Sequence, residues 1–518
     1  MNQSKSVIII GGGISGLTAG IYAEQCGLHA IIIEKNSSVG GFCTGWYRNG
    51  MYIDGCIHWL TGTNEDTILS SIWKNVGAFT SQDDIIYLPS WGTFEYKGKK
   101  VSFYRDLEKA EASWIALAPE DKKEIIHFFD MVYALGNIEL PIGDSFSLRR
   151  YMRLGLDLLL ASPDYFKNML MSCDKYAKKF KNPALRWAIS HAQPGPGNLY
   201  SLIYSYATVA FNNGGIPIGG SKPMVERMKT RFLSLGGTLL LNSEVDSIEV
   251  NKKKIKEVKL KDGRVYFADY YIMAMDVNYA INNLLPASSY ISKFCKRFNK
   301  PLKYKAPSCC LVSLKMKDLN LPTPYTFEVE PFYVGEELIS SITLRQFNYD
   351  NKTFSKDGYI TSEVLLDQYS NTFNYWEKLA KNPVDYQKCK KHIGEMIIGR
   401  IVKKFPSCKG EITCLDVATP LTMRRYTNAP RGEYMSFLFR PFSKLVCHDG
   451  KVPGIKNLFL AGQWMFSPGG LPLALVNGKK AIEMVCRKEK IRIGAKSGKK
   501  AFAKSYQSLR MKDKTVTK

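Results

Sequence analysis

The sequence predicts an α/β fold in which a discontinuous nucleotide-binding domain is interrupted by inserted mixed α+β regions. Three observations carry this. Val7–Ile10 is an apolar run that stops at "GGGISG", "GLTAGIYAEQCG" has helical spacing, and "HAIIIEKN" is a second apolar run, so one βαβ unit closes within about 30 residues. A second α/β block starts near Gly214, and a third apolar strand, "NLFLAG", is followed by the glycine-rich turn "SPGG" near the end of the chain. The α/β signals therefore lie in separate stretches, and a sheet assembled across insertions is the simplest way to join them.

The elements follow in order. Segment 1–90 holds the first βαβ unit and short aromatic strands. Segment 91–213 turns helical and aromatic, with Pro119 and Glu120 marking a helix start. In 214–277, "GGIPIGG" reads as a turn and "SKPMVERMKTRFLSLGG" as a helix with Met224, Met228, Phe232 and Leu235 on one face. Four short strands then follow, with a hairpin at Asp262-Gly263. Segment 278–414 is a second mixed region, α/β character returns at Leu415 for 415–486, and 487–518 is a basic tail.

The chain has 518 residues with 72 basic and 47 acidic side chains, a net charge of +25. Such a balance raises nucleic acid as a partner. Yet Arg487–Lys518 holds 12 basic against 2 acidic residues and so supplies 10 of the 25 charges. The excess is local, which fits a solubilising tail or one drawn to an anionic membrane surface, and nucleic acid is not expected. Twelve cysteines show no C-x-x-C pair and no zinc spacing, so they read as reduced thiols of a cytoplasmic protein, with Cys309 and Cys310 as strand filling. Six residues precede the first apolar run, and no run reaches the ~20 residues of a span, so neither a signal peptide nor a transmembrane helix is expected. "SLRRYMRLGLDLLLAS", with Arg149, Arg150 and Arg153 beside leucines, reads as an amphipathic helix that a membrane surface or a core could cover.

The chemistry starts at Gly11, Gly13 and Gly16, a G-x-G-x-x-G between strand and helix. The first glycine permits a tight turn, the second lets backbone approach a pyrophosphate, and the third allows close helix packing. The amides near Ile14 and Ser15 present the positive end of the helix dipole. Glu34, 18 residues past Gly16 and followed by Lys35, stands where a carboxylate accepts hydrogen bonds from ribose hydroxyls. The pair Gly40-Gly41 comes six residues after Glu34, where short aromatic strands follow instead of another crossover helix, which favours FAD over NAD.

Four segments carry a more specific likeness: "VIIIGGGISGLTAGIYAEQCGLHAIIIEKNSSVGG", "GGIPIGGSKPMVERM" with "LGGTLLLNSEVDSIEV", "TPLTMRRYTNAPRGEYMSF" and "NLFLAGQWMFSPGGLPLAL". In these the chain resembles the phytoene desaturase, carotenoid isomerase and retinol saturase group of FAD-dependent oxidoreductases, distant relatives of amine oxidases. The resemblance implies a Rossmann-like FAD-binding domain with an inserted substrate domain. It places the Val245 backbone at the adenine, Gly462 and Gln463 near the ribitol, and Gly470, Leu471 and Pro472 under the flavin ring, where a helix N-terminus stabilises negative charge. Relatives often carry a basic residue where this chain has Phe42 and an acid where it has Gln463.

His58 and Tyr426 are the catalytic candidates. His58 lies near a cofactor segment and imidazole titrates near working pH, with a structural histidine as the alternative. Tyr426 lies in the segment that in the family lines the substrate tunnel, as an acid or a wall. Asp54 is expected to cap a turn. The implied activity is oxidoreduction or isomerisation at a carbon–carbon double bond of a lipophilic polyene, retinoid or lipid. The electron partner would be a quinone, another flavoprotein or NAD(P)H, and the protein cytoplasmic or peripheral on the inner membrane face. The competing readings are an amine-oxidase-like flavoenzyme and a flavin-free lipid-binding chaperone of the related GDP-dissociation-inhibitor fold.

Overall fold

The structure, a computed structural model, describes residues 5–136, 171–193, 197–285, 297–438 and 447–491. Arg149, Arg150, Arg153 and all but the first five residues of the basic tail lie outside the described residues. Five strands form a fully parallel sheet in the order Thr238–Leu240, His29–Ile33, Ser6–Ile10, Tyr270–Met273, Leu458–Leu460. Beyond their first residues, Ser6 and His29, its central strands are apolar because both faces are covered. Val7, Ile9 and Ile32 pack into one core with the helices Ile14–Gln25, Ser221–Ser234 and Leu471–Glu489. Ile8, Ile10 and Ile33 pack into another, under the antiparallel sheet Val245–Asn251, Lys254–Leu260, Val265–Tyr266. The strands of the parallel sheet thus come from the three separate stretches that the sequence marks.

A second sheet runs Ile412–Ala418, Pro307–Met316, Tyr359–Tyr369, Glu337–Gln346, Tyr325–Val334, Ser90–Tyr96, Lys99–Tyr104, with the short Ser355–Lys356 paired to Tyr359–Tyr369. All its pairs are antiparallel except Tyr325–Val334 with Ser90–Tyr96. Side chains alternate across a strand, so its two faces differ. Cys310, Val312, Leu314, Val364 and Leu366 pack against Ile393, Ile397 and Ile401 of helix Pro383–Lys404. Cys309, Leu311, Glu363 and Leu365 face the other way, into a cavity. The helices Leu107–Leu117, Lys122–Gly136, Cys173–Ala177, Pro183–His191 and Leu199–Ala210 form an aromatic core around Phe103, Trp114, Phe128 and Tyr206.

Several element readings change. Leu415 does not return to the nucleotide sheet. It lies in Ile412–Ala418, an edge strand of the second sheet, because this apolar run pairs with Pro307–Met316; the parallel sheet resumes only at Leu458. Segment 91–213 opens with strands of that same sheet, not with helix. The expected turn at Gly214 is the strand Gly214–Pro217, shared between Leu60–Thr61 and Ile85–Ile86. Five strands, not four, lie between 238 and 273, the hairpin at Asp262-Gly263 among them. Among the described residues no helix is long and apolar enough to cross a membrane.

Candidate functional site

The strand Ser6–Ile10 ends at Gly11, whose φ of +104° suits glycine and whose amide donates to the Ile33 carbonyl at 2.8 Å. Gly13 then caps the helix Ile14–Gln25. A Cβ on Gly16 would stand 1.9 Å from the Gly11 carbonyl oxygen, so only glycine lets this helix start so close to the strand. Gly40 donates to the Gly12 carbonyl at 2.9 Å and bridges Gly13, which sets the second glycine pair back to back with the first.

Glu34 is buried at the tip of the second strand. Its Oε2 accepts from the Gly12 amide at 2.7 Å, and its Oε1 accepts from the Asn36 amide at 2.9 Å and side chain at 2.7 Å. A carboxylate offers about four acceptor positions, so one stays open for a ligand hydroxyl. Lys35 donates to the Arg425 carbonyl at 2.7 Å and to Asn428 Oδ1 at 2.5 Å, which leaves one of its three donors. Val245 opens its strand on the same wall.

The far end of the chain completes the wall. Gly478 lets helix Leu471–Glu489 cross the first helix, since a Cβ there would lie 2.3 Å from the Ser15 carbonyl oxygen. At the start of that late helix, Gln463 Oε1 accepts from the Gly470 amide at 3.0 Å. Gly462 and Gly470 hold φ of +119° and +98° in this turn. Gln463 thus acts as an acceptor that ties the turn together.

These segments enclose one cavity of about 740 Å³. Every expected site residue lines it except Gly16, which lies beneath the turn it supports: Gly11, Gly13, Ile14, Ser15, Glu34, Lys35, Gly40, Gly41, His58, Val245, Tyr426, Gly462, Gln463, Gly470 and Leu471. The residues fit a flavin dinucleotide. Ser15 Oγ is buried at the helix N-terminus without a protein partner, and Gly11, Gly13, Gly40 and Gly41 present bare backbone to the cavity. A phosphate oxygen answers both features.

The two catalytic candidates fare differently. His58 is on the cavity wall, but burial and then the charge of Arg345, which donates to the His58 carbonyl at 3.1 Å, hold its imidazole well below the usual range. Burial thus favours its neutral form. Tyr426 lies on the helix Pro420–Thr427, whose end is bound by Lys35, and its carbonyl accepts from Asn36 at 3.0 Å. This ties its helix to the Glu34 end of the cavity, where Tyr426 is 45% exposed. Asp54 caps a helix as well as a turn: it is buried and accepts from the amides of Cys56, Ile57 and Ser221 and the Ser221 hydroxyl.

Other cavity residues escaped notice in the sequence. Tyr200 and Tyr204 stack on one face of helix Leu199–Ala210, with Ser201 and Ser205 beside them; the i, i+4 spacing in "YSLIYSY" is the signal that finds them. Asp276 accepts from Trp464 Nε1 at 2.7 Å and is pushed up to about 6 by burial. Glu433, not itself a lining residue, is fully buried near it and pushed up to about 7 by burial and then by the Asp276 charge. Glu363 has no such signal, because its burial comes from strand pairing far along the chain.

Comparison with known proteins agrees with this architecture. The chain is 25% identical over 292 residues to a lycopene-forming phytoene desaturase of Pseudescherichia vulneris, covering 54% of this chain and 58% of that protein. It is 24% identical over 457 residues to a chloroplastic prolycopene isomerase of Daucus carota, covering 84% and 72%. The chain thus spans less than three fifths of the length of the phytoene desaturase. Among solved structures, an oxidoreductase from Methanosarcina mazei matches with a TM-score of 0.56 at 14% identity over 93% of this chain and 100% of that one. Putrescine oxidase bound to putrescine matches with a TM-score of 0.54 at 13% identity over 94% and 100%. At such identities the structural likeness speaks for the fold. Residues 14–317 match the model of the flavin containing amine oxidoreductases, more than half of the chain, and the protein belongs to that family and takes a flavin cofactor.

Proposed function

We propose that the protein is an FAD-dependent oxidoreductase that desaturates, saturates or isomerises a carbon–carbon double bond of a lipophilic unsaturated substrate. The observation that carries the reading is the continuity of one cavity. It runs from the glycine turn and Glu34, past the start of helix Leu471–Glu489, to a wall of Leu311, Leu365, Tyr200 and Tyr204. The relatives named as phytoene desaturases and prolycopene isomerases support the substrate class.

In this reading Gly11, Gly13, Ile14 and Ser15 hold the pyrophosphate, Glu34 a ribose, and the Val245 backbone the adenine. Gly40, Gly41, Gly462 and Gln463 hold the ribitol, and Gly470 and Leu471 the ring. When bound, FAD supplies hydride exchange. The late helix N-terminus favours negative charge on its neighbour. Apolar walls exclude water and align the polyene. His58, kept neutral, serves as a hydrogen-bonding group on the wall. Electrons come from or go to a quinone, another flavoprotein or NAD(P)H.

The test is anaerobic incubation of oxidised and photoreduced protein with polyenes, retinoids and unsaturated fatty acids, read by mass spectrometry. A change of two hydrogens, or an unchanged mass with altered retention, supports the reading. Turnover of amines alone would replace it with the amine-oxidase activity.

A further inference from the structure

The apolar floor of the cavity contains one polar group the proposed chemistry does not use. On the sheet face with Cys309, Leu311 and Leu365 stands Glu363, 3% exposed. It lies opposite Arg345 on one neighbouring strand and Ser313 on the other. Its Oε1 is buried and has no hydrogen-bond partner. The nearby charged groups are Arg345 and Asp54, both buried, with the Tyr349 phenol and the Cys309 thiol as further titratable neighbours.

The charges of this cluster decide its protonation. One buried cation, Arg345, faces two buried carboxyls. Asp54 accepts four hydrogen bonds from amides and a hydroxyl, all of which favour its anion. For hydrogen bonds that favour its anion, Glu363 has only the Asp54 backbone amide. Burial, with the Asp54 charge second, pushes its carboxyl well above the usual range against the pull of Arg345. Burial thus favours the protonated carboxyl of Glu363, and its Oε1 stands in the cavity floor without a protein partner. Leaving a buried polar group unpaired is costly, and a ligand that pairs it recovers that cost.

We propose that Glu363 recognises an oxygen function, a hydroxyl or a carbonyl, on the lipophilic substrate, so that the substrate is an oxygenated unsaturated lipid and not a bare hydrocarbon. This rests on the reading of the cavity as a lipophilic substrate site and names the substrate class within it. The carboxyl positions the substrate at the end that carries the oxygen, and the flat wall of Leu311 and Leu365 contacts the chain.

FAD-loaded protein titrated with all-trans-retinol and with axerophtene, the same polyene without its hydroxyl, tests this directly. The alcohol is expected to bind about tenfold or more tightly than the hydrocarbon. Glu363→Gln, which still donates and accepts, keeps the preference. Glu363→Leu loses it while retaining FAD and the thermal midpoint. Equal affinities in the native protein, or a preference that survives Glu363→Leu, overturn the proposal and leave the lipophilic site standing. Binding of neither polyene by protein that retains FAD overturns the lipophilic site itself, and this proposal with it.

Discussion

Replacing Gly16 by alanine puts a methyl group 1.9 Å from the Gly11 carbonyl oxygen, 3.0 Å from its carbon and 3.4 Å from the Ala274 Cβ. The nearest of these is backbone, so no side chain can turn aside. Gly11 is tied to Ile33, and Leu17 is tied to Gly13 at 2.9 Å, so separating helix from turn by the needed ~1 Å strains both. Overpacking of this kind costs about 1–3 kcal/mol. If the cost falls on the closed turn that holds the pyrophosphate, FAD affinity weakens about 5- to 150-fold. Calorimetric titration of apo-protein with FAD measures this, with the thermal midpoints of both apo-proteins as a check on folding. Binding of FAD by Gly16→Ala with unchanged affinity would refute the assignment of this turn.

Glu34→Gln exchanges an acceptor for an amide that faces the Gly12 or Asn36 N–H groups. It should cost about 1.5–3 kcal/mol in urea unfolding and release FAD on gel filtration; full flavin retention would count against the ribose role. Gln463→Leu leaves the Gly470 amide unpaired and should weaken FAD about fivefold, while Gln463→Glu keeps the acceptor and the affinity; equal loss in both would deny the hydrogen bond its role. Glu433 has its folded-state value raised from 4.5 to about 7, so its contribution to stability is full below pH ~4.5 and is lost as pH rises through ~7. At about 1.4 kcal/mol per unit this is about 3.5 kcal/mol, and Glu433→Gln should flatten stability between pH ~4.5 and ~7, which denaturant midpoints at several pH values would show. Gly399 is exposed in the helix Pro383–Lys404 with nothing within 4 Å of a Cβ, so Gly399→Ala should raise stability by about 0.5–1 kcal/mol, and a lower midpoint would contradict the open surface there.

What was legible in the sequence depended on local chemistry. The glycine turn, Glu34 and the late "SPGGLP" turn each announce themselves within a few residues, because backbone approach to phosphate needs glycine wherever it occurs. Their meeting on one cavity follows from parallel strands that return to the same sheet. The second sheet was hard to see. Ile412–Ala418 resembles any apolar strand, and only its pairing with Pro307–Met316 assigns it. The same limit hid Glu363, Asp276 and Glu433, since a carboxyl in sequence carries no mark of the burial that raises it. The surroundings of Tyr426 were hidden for a related reason: the hydrogen bonds from Lys35 and Asn36, almost 400 positions away, draw its helix to the Glu34 end.

The central claim is that a lipophilic polyene and the flavin react within this cavity. An anaerobic titration of FAD-loaded protein with the polyene that binds best, followed by flavin absorbance near about 450 nm and product analysis, tests it most directly. The account predicts bleaching of oxidised flavin or recovery of photoreduced flavin, with product differing by two hydrogens, or an isomerised product formed only with reduced flavin present. Bound polyene that leaves both flavin states and itself unchanged would contradict it.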